Sequence, residues 1–448
     1  MESKPFQYDC LKAVLKHMDA NLRFELSARI PAIQKTEKIV PLKINRLHFS
    51  SPYEFEVNNT IYKFGTYRNY IENEIPPNHH HENANGGFAG DLDEFGNKDN
   101  SSIGIVTPGD LIFHDESFHI GFPRSLHSFE SMERELKVLE ALLAEKQGKS
   151  VKPIKITDRD YRILSSYKNS SVDYIFKDIQ NRRAELQPFL SQRDGLPVPF
   201  TRMIQFTIVH SNGSRQIQRK HCDEKLFEVQ KKLTTFLFGN RKDPVLVKRF
   251  EAADNINIIR LPQNLKIILK ELKYCYNTYV FCNELQKIIT ETPRLDLVET
   301  ARVPTERFHH QLIETAKCLR LEVFRPRSMD REESFLYFLS LSNREVHVKY
   351  DCFTLDEYAR MIKHWIENDR EVGTCYTFGY FEHQKFNKMY RIIIDELNGD
   401  FSHTTESCVT IPISCTTQIE ISRIYYSVTN YHLFGRMQSM MKMEITSQ

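Results

Sequence analysis

The stretch "LKELKY" (residues 269–274) has a pattern that three later stretches of the chain repeat. Each combines apolar and charged residues over the length of a strand, and each is followed by a loop and a helical segment. The other three are "LDLVET" (residues 295–300), "LRLEVF" (residues 319–324) and "EVHVKY" (residues 345–350). By their residue numbers the four starts lie 26, 24 and 26 residues apart. The sequence therefore predicts a repeating strand–loop–helix unit.

A period of this length is typical of leucine-rich-repeat-like solenoids, in which each unit buries its strand against its neighbours. The asparagine that usually closes such a unit is missing, so the units are irregular. We expect a parallel sheet of about four strands with helices on one side. The segment "SCVTIPISCTTQIEISRIYYSVTN" follows the array and predicts two more strands around residues 414–417.

Two hairpins are predicted outside the array. "YEFEVNNTIYKF" has two strand-like arms on either side of Asn58 and Asn59, and the alternating stretch "LKINRLHF" precedes it. "RMIQFTIVHSNGSRQIQRK" contains Asn212 and Gly213, the pair preferred in tight turns that need positive φ angles. A helix is also predicted over residues 128–147, with Gly148 to end it. A linker or core role is favoured for it over a short partner-binding helix.

The N-terminal segment reads as short helices. Apolar residues recur along the first one at helical spacing, forming a single stripe: Leu11, Val14, Leu15 and Met18. A second helix carries Leu22, Leu26 and Ile30, and Pro31 ends it. Asp19 or Asn21 can cap this helix. These residues can contact a partner helix or pack onto the strands that follow.

The stretch "NHHHENANGGFAGDLDEFGNKDN" (residues 78–100) is rich in histidine, acidic residues and glycine. It is long for a loop in a compact domain, and such loops are commonly functional or mobile. We interpret it as a solvated loop with a possible contact surface at four positions: Gly90, Asp91, Asp93 and Gly96.

Metal binding by this loop is not expected. "DLDEFGNKDNSS" partly matches a calcium loop, but Phe95 stands at a ligand position and Ser102 replaces the bidentate glutamate. Three adjacent histidines cannot all bind one ion, because their side chains diverge. No cofactor motif and no catalytic signature is present in the chain, so we predict a protein that is not an enzyme and binds no metal or cofactor. A metal-dependent enzyme using Asp91 and Asp93 is the third and last alternative.

The composition limits the kinds of partner and the cellular compartment that we expect for this protein. The 61 basic and 59 acidic residues give a net charge of +2 and call for neither a nucleic-acid nor a membrane surface. The nine cysteines are scattered without a C-x-x-C pair, and neither a signal peptide nor an apolar span is evident. We therefore expect a cytoplasmic or nuclear protein. His309, His310 and His347 are expected to be packed or solvated. The single tryptophan, Trp365, follows Tyr358 and Ile362 on one helical face and is expected to be a core residue.

Four stretches together resemble the nematode-expanded F-box family C proteins. The N-terminal stretch "PFQYDCLKAVLKHMDANLRFELSARIPAIQKTEKIVPLKINRLHF" resembles their degenerate F-box-like head, and "GGFAGDLDEFG" resembles a family loop of the form Pro-Gly-Asp-x-Asp-x-x-Gly, with Ala89 in place of the proline. "WIENDREVGTCYTFGYF" and "CVTIPISCTTQIEIS" resemble the C-terminal region. The head differs from an orthodox F-box: "PFQYD" replaces the Leu-Pro-x-Glu start, and a tryptophan near its end is missing.

The resemblance implies an α+β protein that recruits a substrate to a cullin-RING ubiquitin ligase. Residues 1–41 would be the F-box-like helical head, 42–190 a β-rich domain with the polar loop and a linker helix, and 191–448 the domain with leucine-rich-repeat-like units. The head would dock on a Skp-type linker protein through a stripe of apolar residues, and the array would bind an unknown protein substrate. That stripe comprises Leu11, Val14, Leu15, Met18, Leu22 and Leu26. The alternative is a protein-binding scaffold with no link to ubiquitin ligases.

Overall fold

The computed structural model describes most of the chain. The described residues are 8–71, 75–113, 126–150, 155–253, 255–274, 278–290, 294–302, 310–323, 331–350, 353–368, 370–379, 387–389, 391–392, 403–404, 408–424 and 440–448. Cys275, Cys352 and His309 lie outside them.

The secondary structure is mixed, as an α+β fold requires. The helices are α1 (Tyr8–His17), α2 (Ala20–Arg29), a 3-10 turn (Pro31–Ile33), α3 (Gln34–Ile39), α4 (Pro77–Ala84), α5 (Leu126–Lys146), α6 (Asp158–Tyr167), α7 (Val172–Asp194), α8 (Leu226–Phe238), α9 (Thr278–Gln286), α10 (Gln311–Glu314), α11 (Arg331–Ser340) and α12 (Leu355–Glu367). The strands are β1 (Lys43–Ser51), β2 (Glu54–Val57), β3 (Thr60–Tyr70), β4 (Asp91–Leu92), β5 (Lys98–Asp99), β6 (Leu111–Ile112), β7 (Phe200–Val209), β8 (Arg215–His221), β9 (Val245–Ala252), β10 (Ile258–Ile259), β11 (Ile267–Tyr274), β12 (Leu297–Arg302), β13 (Cys318–Val323), β14 (Glu345–Val348), β15 (Cys375–Gly379), β16 (His403–Thr404), β17 (Cys408–Pro412), β18 (Thr417–Ile424) and β19 (Met440–Ser447).

One sheet organises the molecule. It has 15 strands in the order β16-β17-β18-β19-β15-β14-β13-β12-β11-β9-β1-β2-β3-β7-β8. The seven strands from β15 to β1 run parallel, and antiparallel strands extend the sheet at both ends. The sheet crosses the predicted boundary near residue 190, because β1 pairs directly with β9.

The predicted parallel array is confirmed, with more strands than expected. One row of apolar residues runs across five strands in register, and each side chain is buried: Leu272, Val298, Leu319, Val346 and Tyr376. Helices α8 to α12 bury their apolar sides in the same core. Ring contacts join strand and helix, with centroids 4.1 Å apart for Tyr274 and Phe281 and 4.9 Å apart for Trp365 and Tyr376.

An asparagine bridges two neighbouring units although the repeat lacks the usual one. The Asn343 side chain donates 2.8 Å hydrogen bonds to the carbonyls of Ile313 and Ala316 in the preceding unit. These carbonyls are buried where the chain turns towards β13, so an amide donor there satisfies groups that water cannot reach. Spacing alone did not single out this residue.

Both predicted hairpins are present, and their turns differ from one another. Asn58 lies between β2 and β3 with φ of 54°, and its side chain accepts a hydrogen bond from the backbone amide of Asn45. Between β7 and β8 only Gly213 has a positive φ, of 80°. The expectation that Asn212 shares this conformation was wrong: its side chain instead accepts a hydrogen bond from the Ser214 amide. The two C-terminal strands are confirmed as β17 and β18.

The middle of the chain is more helical than expected. The strands β1 to β3 agree with the prediction, and α5 covers the predicted helix, but α6 and α7 follow it where no helix was predicted. The long helices α5 and α7 pack together around a small separate core of Leu139, Ile175 and Ile179. Gly148 ends α5 with φ of 71°, as its position predicted. Within the described residues, no helix combines the length and the hydropathy needed to cross a bilayer.

Candidate functional site

The first N-terminal helix is apolar on two sides, and only one of them faces solvent. Leu15 is fully buried at 0% exposure, whereas Val14 is 43% exposed. Leu11 and Met18 are half-buried and flank Val14 at helical spacing. Leu15 therefore packs inside the chain and cannot contact a partner, in contrast to the role predicted for it.

The second helix divides in the same way. Ala20 and Phe24 belong to the main core. Leu22 and Ile30 are 48% and 46% exposed, and Leu26 between them is half-buried. Asp19 caps the helix by accepting a hydrogen bond from the Asn21 amide, so the first of the two predicted caps is confirmed. Leu11, Val14, Met18, Leu22, Leu26 and Ile30 are called the head stripe below.

Buried charges fix the N-terminal helices to the rest of the chain. Arg23 and Glu37 are each 1% exposed and form an ion pair at 2.9 Å, and Arg241, which follows α8, binds the same carboxylate at 2.8 Å. Burial lowers the pKa of both arginines and outweighs the opposite effect of Glu37. Burial likewise lowers the pKa of Lys38 to about 8; its amine donates to the carbonyls of Phe236 and Leu237. The head stripe is thus held in a fixed orientation relative to the sheet.

Residues 78–100 are ordered, contrary to the expected loop. The segment begins within α4 and ends in a small hairpin formed by β4 and β5. Asp91 is 2% exposed; one oxygen accepts a 2.9 Å hydrogen bond from the Leu226 amide at the start of α8, and the other accepts a 2.8 Å bond from the Ser102 hydroxyl. Its carboxylate therefore helps to cap α8.

The other loop positions also hold the hairpin together. Asp93 accepts bonds from the Phe95 and Asn97 amides and closes the turn. Gly96 has φ of 91°, and the Gly90 carbonyl accepts a 2.7 Å bond from the Thr66 hydroxyl. Gly90, Asp91, Asp93 and Gly96 thus have structural roles in the hairpin. The contact surface predicted at these positions stays a prediction.

The polar face of the sheet, opposite α8 to α12, carries a network of ion pairs. Arg46 binds Glu251 at 2.6 Å, and Arg249 binds both Glu251 and Glu299. Lys273 binds Glu299 at 2.7 Å. Burial acts to raise the pKa of Glu251, but Arg46 and Arg249 outweigh it and hold that pKa below its usual range. Charges on this part of the face are largely neutralised by one another, which favours recognition by polar side chains over binding of a strongly charged partner.

Further along the same face, three side chains of types that bind metals converge. Potential ligand atoms of Cys318, Glu345 and His347 all lie within 4.8 Å of one another, the single such group among the described residues. Burial raises the pKa of Cys318 to about 11 and lowers that of His347 to about 4, with Arg320 also lowering the latter. The thiol and the imidazole are therefore neutral near pH 7.

Comparison with known proteins covers part of this arrangement. Residues 225–382 match the family model described as a domain of unknown function, DUF3557. That region holds the parallel strands β9 and β11 to β15, helices α8 to α12 and the cysteine–glutamate–histidine group. It does not reach the head stripe or residues 78–100. No curated protein and no solved structure matches the chain significantly.

Sequence reasoning missed the group at Cys318, Glu345 and His347. His347 was expected to be packed or solvated, and its half-buried position agrees with that. Cys318 was grouped with scattered cysteines, because the spacing of 27 residues to Glu345 matches no local ligand motif. The signal lies in the repeat: once the strands are aligned by their buried rows, Cys318 and Glu345 fall at the same position of adjacent units.

Proposed function

We propose that this protein is a substrate-recruiting adaptor of a cullin-RING ubiquitin ligase that acts by protein–protein contact. The head stripe would bind the Skp-type linker, and the sheet domain would bind a protein substrate. Two things support the proposal: the resemblance of four stretches to F-box family C proteins, and the exposed apolar side chains on α1 and α2.

The head stripe is the observation that carries the proposal. Val14, Leu22 and Ile30 stay between 43% and 48% exposed although the opposite sides of their helices are buried in the chain. Leaving apolar area in water costs roughly 25 cal/mol per Å², so a series of such residues on neighbouring helices is typical of a surface that a partner covers. Helical partners recognise residues at this spacing.

The rigid attachment of the head favours an adaptor as well. An adaptor must hold its substrate at a set distance from the ligase, and the Arg23–Glu37–Arg241 cluster joins the head to the sheet without a flexible linker. The polar face of the parallel strands offers an extended surface for the substrate, as solenoid-like arrays do.

Co-expression with a Skp-type linker followed by size-exclusion chromatography tests the proposal. The double variant Val14→Asp, Leu22→Asp places two charges in the stripe at exposed positions, so it should fold. Leu15 is unsuitable for this purpose, because a charge at a fully buried position would unfold the helix pair. The matched control is Ile217→Asp, at an equally exposed apolar residue (47%) on the edge strand β8.

We expect the wild type and Ile217→Asp to co-elute with the linker and the double variant to elute alone. Circular dichroism verifies that all three proteins are folded. If the folded wild type does not bind the linker, the proposed ubiquitin-ligase role is refuted. The scaffold alternative then takes its place, with another protein as the partner of the head stripe.

A further inference from the structure

Strand register creates the three-residue group on the polar face. Cys318 on β13 and Glu345 on β14 are direct partners in the parallel pairing. His347 lies two residues after Glu345 and so projects from the same face of the sheet. Neighbouring strands are about 4.8 Å apart, which suits ligands that share one ion.

The chemical types in the group favour one metal. Cysteine sulfur, histidine nitrogen and carboxylate oxygen are the three ligand types that zinc combines in proteins, whereas calcium and magnesium prefer oxygen alone. Zinc–ligand bonds of about 2.0–2.3 Å at tetrahedral angles separate the ligand atoms by roughly 3.3–3.8 Å. The Glu345 oxygen and the His347 Nε2 are 3.8 Å apart, close to that separation.

A hydrogen bond with the neighbouring strand orients the imidazole ring of His347. Nδ1 of His347 lies 2.6 Å from the hydroxyl of Thr377, its partner residue on β15. A hydrogen bond to one ring nitrogen fixes the orientation of the ring, as it does around zinc-bound histidines. Nε2 faces Glu345 as a result.

Two ligands of the group can match the charge of a dication, while the Arg320 guanidinium adds a positive charge beside Cys318 and His347. A cysteine thiolate and a glutamate carboxylate neutralise the two charges of Zn²⁺. Arg320, the partner residue of His347 on β13, has a buried Nε without a hydrogen-bond partner among the described atoms, and a metal-bound thiolate would offer it an acceptor. Cys375 is the partner of Glu345 on the other side but is not part of the group.

We infer that Cys318, Glu345 and His347 form a zinc site on the polar face of the sheet. Three protein ligands leave one position of a tetrahedral ion open. Because the Glu345 side chain is 51% exposed, water or a side chain of a bound protein can reach that position. Zinc binding at this site is independent of the adaptor role proposed above.

Titration of the metal-free full-length chain with Co²⁺, followed by displacement with Zn²⁺, tests the inference. We expect one Co²⁺ per chain, with a thiolate-to-cobalt absorption band that Zn²⁺ abolishes. Cys318→Ser should remove this band. His347→Gln and Glu345→Gln should each weaken binding more than about 10-fold, since changes outside the ligand shell already cost that much.

Cys415→Ser is the matched control, because Cys415 is an exposed free thiol outside the group; this variant should bind Co²⁺ like the wild type. Circular dichroism shows which variants are folded. If Cys318→Ser does not fold, Glu345→Gln decides, because its half-exposed side chain can be changed without disturbing the core. The site is refuted if the folded wild type binds neither ion at micromolar concentration, or if Glu345→Gln binds as tightly as the wild type.

Discussion

The carboxylate of Asp91 accepts a 2.9 Å hydrogen bond from the backbone amide of Leu226, 135 residues further along the chain. Leu226 is the first residue of α8. The residue before it, Lys225, has no side-chain oxygen that could cap the helix. A distant aspartate thus satisfies a free amide at the helix start and places a negative charge at the positive end of the helix dipole. The hairpin of residues 91–99 is joined to the repeat array through this contact.

We expect Asp91→Ala to lower the free energy of unfolding by about 2 kcal/mol. The substitution removes a helix cap and leaves the Leu226 amide and the Ser102 hydroxyl without their buried acceptor. Urea unfolding followed by circular dichroism measures the loss. Glu94→Ala, three residues away and exposed, should change stability by less than about 0.5 kcal/mol.

The same two proteins test the metal-dependent enzyme alternative. With Asp91 engaged as a cap, Mg²⁺ or Mn²⁺ should shift the melting temperature of wild type and Asp91→Ala equally. A stabilisation by either ion that only the wild type shows would instead assign Asp91 to a metal site.

Glu37 is expected to contribute more to stability than any exposed acidic residue of the head. It is 1% exposed and binds the buried guanidinium groups of Arg23 and Arg241. Glu37→Ala leaves two buried cations without a counter-charge, a change that typically costs about 3–5 kcal/mol. Thermal and urea unfolding measure it.

Glu25→Ala is the matched control for Glu37. Glu25 pairs with Arg29 at 2.6 Å on the helix surface, where an ion pair contributes less than about 1 kcal/mol. Equal losses for the two variants would mean that the Arg23–Glu37–Arg241 cluster does not anchor the head, and would remove one of the reasons for the adaptor proposal.

Local pattern predicted the parallel strands correctly, because alternation of apolar and polar residues is set by the strand itself. It could not predict that β1 joins the same sheet, since the pairing of Leu47 with Phe250 depends on contacts between distant segments. The head shows the same limit. Val14 and Leu15 both fit a helical stripe, and only the packing of the helix onto its neighbours decides that Leu15 is buried and Val14 exposed.

The candidate zinc ligands illustrate why a site on a sheet face is hard to predict. Each residue taken alone is ordinary, and their chemistry depends on the register that makes Cys318 and Glu345 neighbours. The acidic residues of the 78–100 segment, by contrast, form a recognisable motif, yet Asp91 and Asp93 are used for capping and turn formation.

Gly96→Ala should destabilise the protein more than Gly104→Ala. Both glycines have φ near 90°, so an added methyl group strains the backbone equally. At Gly96 the new Cβ would also lie 2.7 Å from a ring carbon of Phe200, whereas nothing lies within 4 Å at Gly104. We expect Gly96→Ala to lose about 1–3 kcal/mol more in urea unfolding. Equal losses would show that the Phe200 ring moves aside at no cost.

His79 should make the protein less stable as pH falls from about 6.5. Its side chain is 6% exposed, and Nδ1 lies 2.6 Å from the Tyr70 hydroxyl, which can donate to the neutral ring. Burial, together with the positive charge of Arg68, lowers the pKa of His79 from 6.5 to about 3. Between these two pH values the unfolded chain binds a proton that the folded chain does not, so stability decreases with falling pH by up to about 1.4 kcal/mol per pH unit.

His79→Gln should reduce this dependence and leave other acid-sensitive groups unchanged. Glutamine can still accept the Tyr70 hydrogen bond but takes up no proton, so the unfolding free energy of the variant should fall less steeply between about pH 6 and pH 4. His81→Gln is the control: His81 lies on the same helix, two residues away, and is exposed. Its removal should leave the slope as in the wild type. Identical slopes for all three proteins would mean that His79 takes up its proton equally in the folded and the unfolded chain, and that helix α4 opens readily enough to let water reach it.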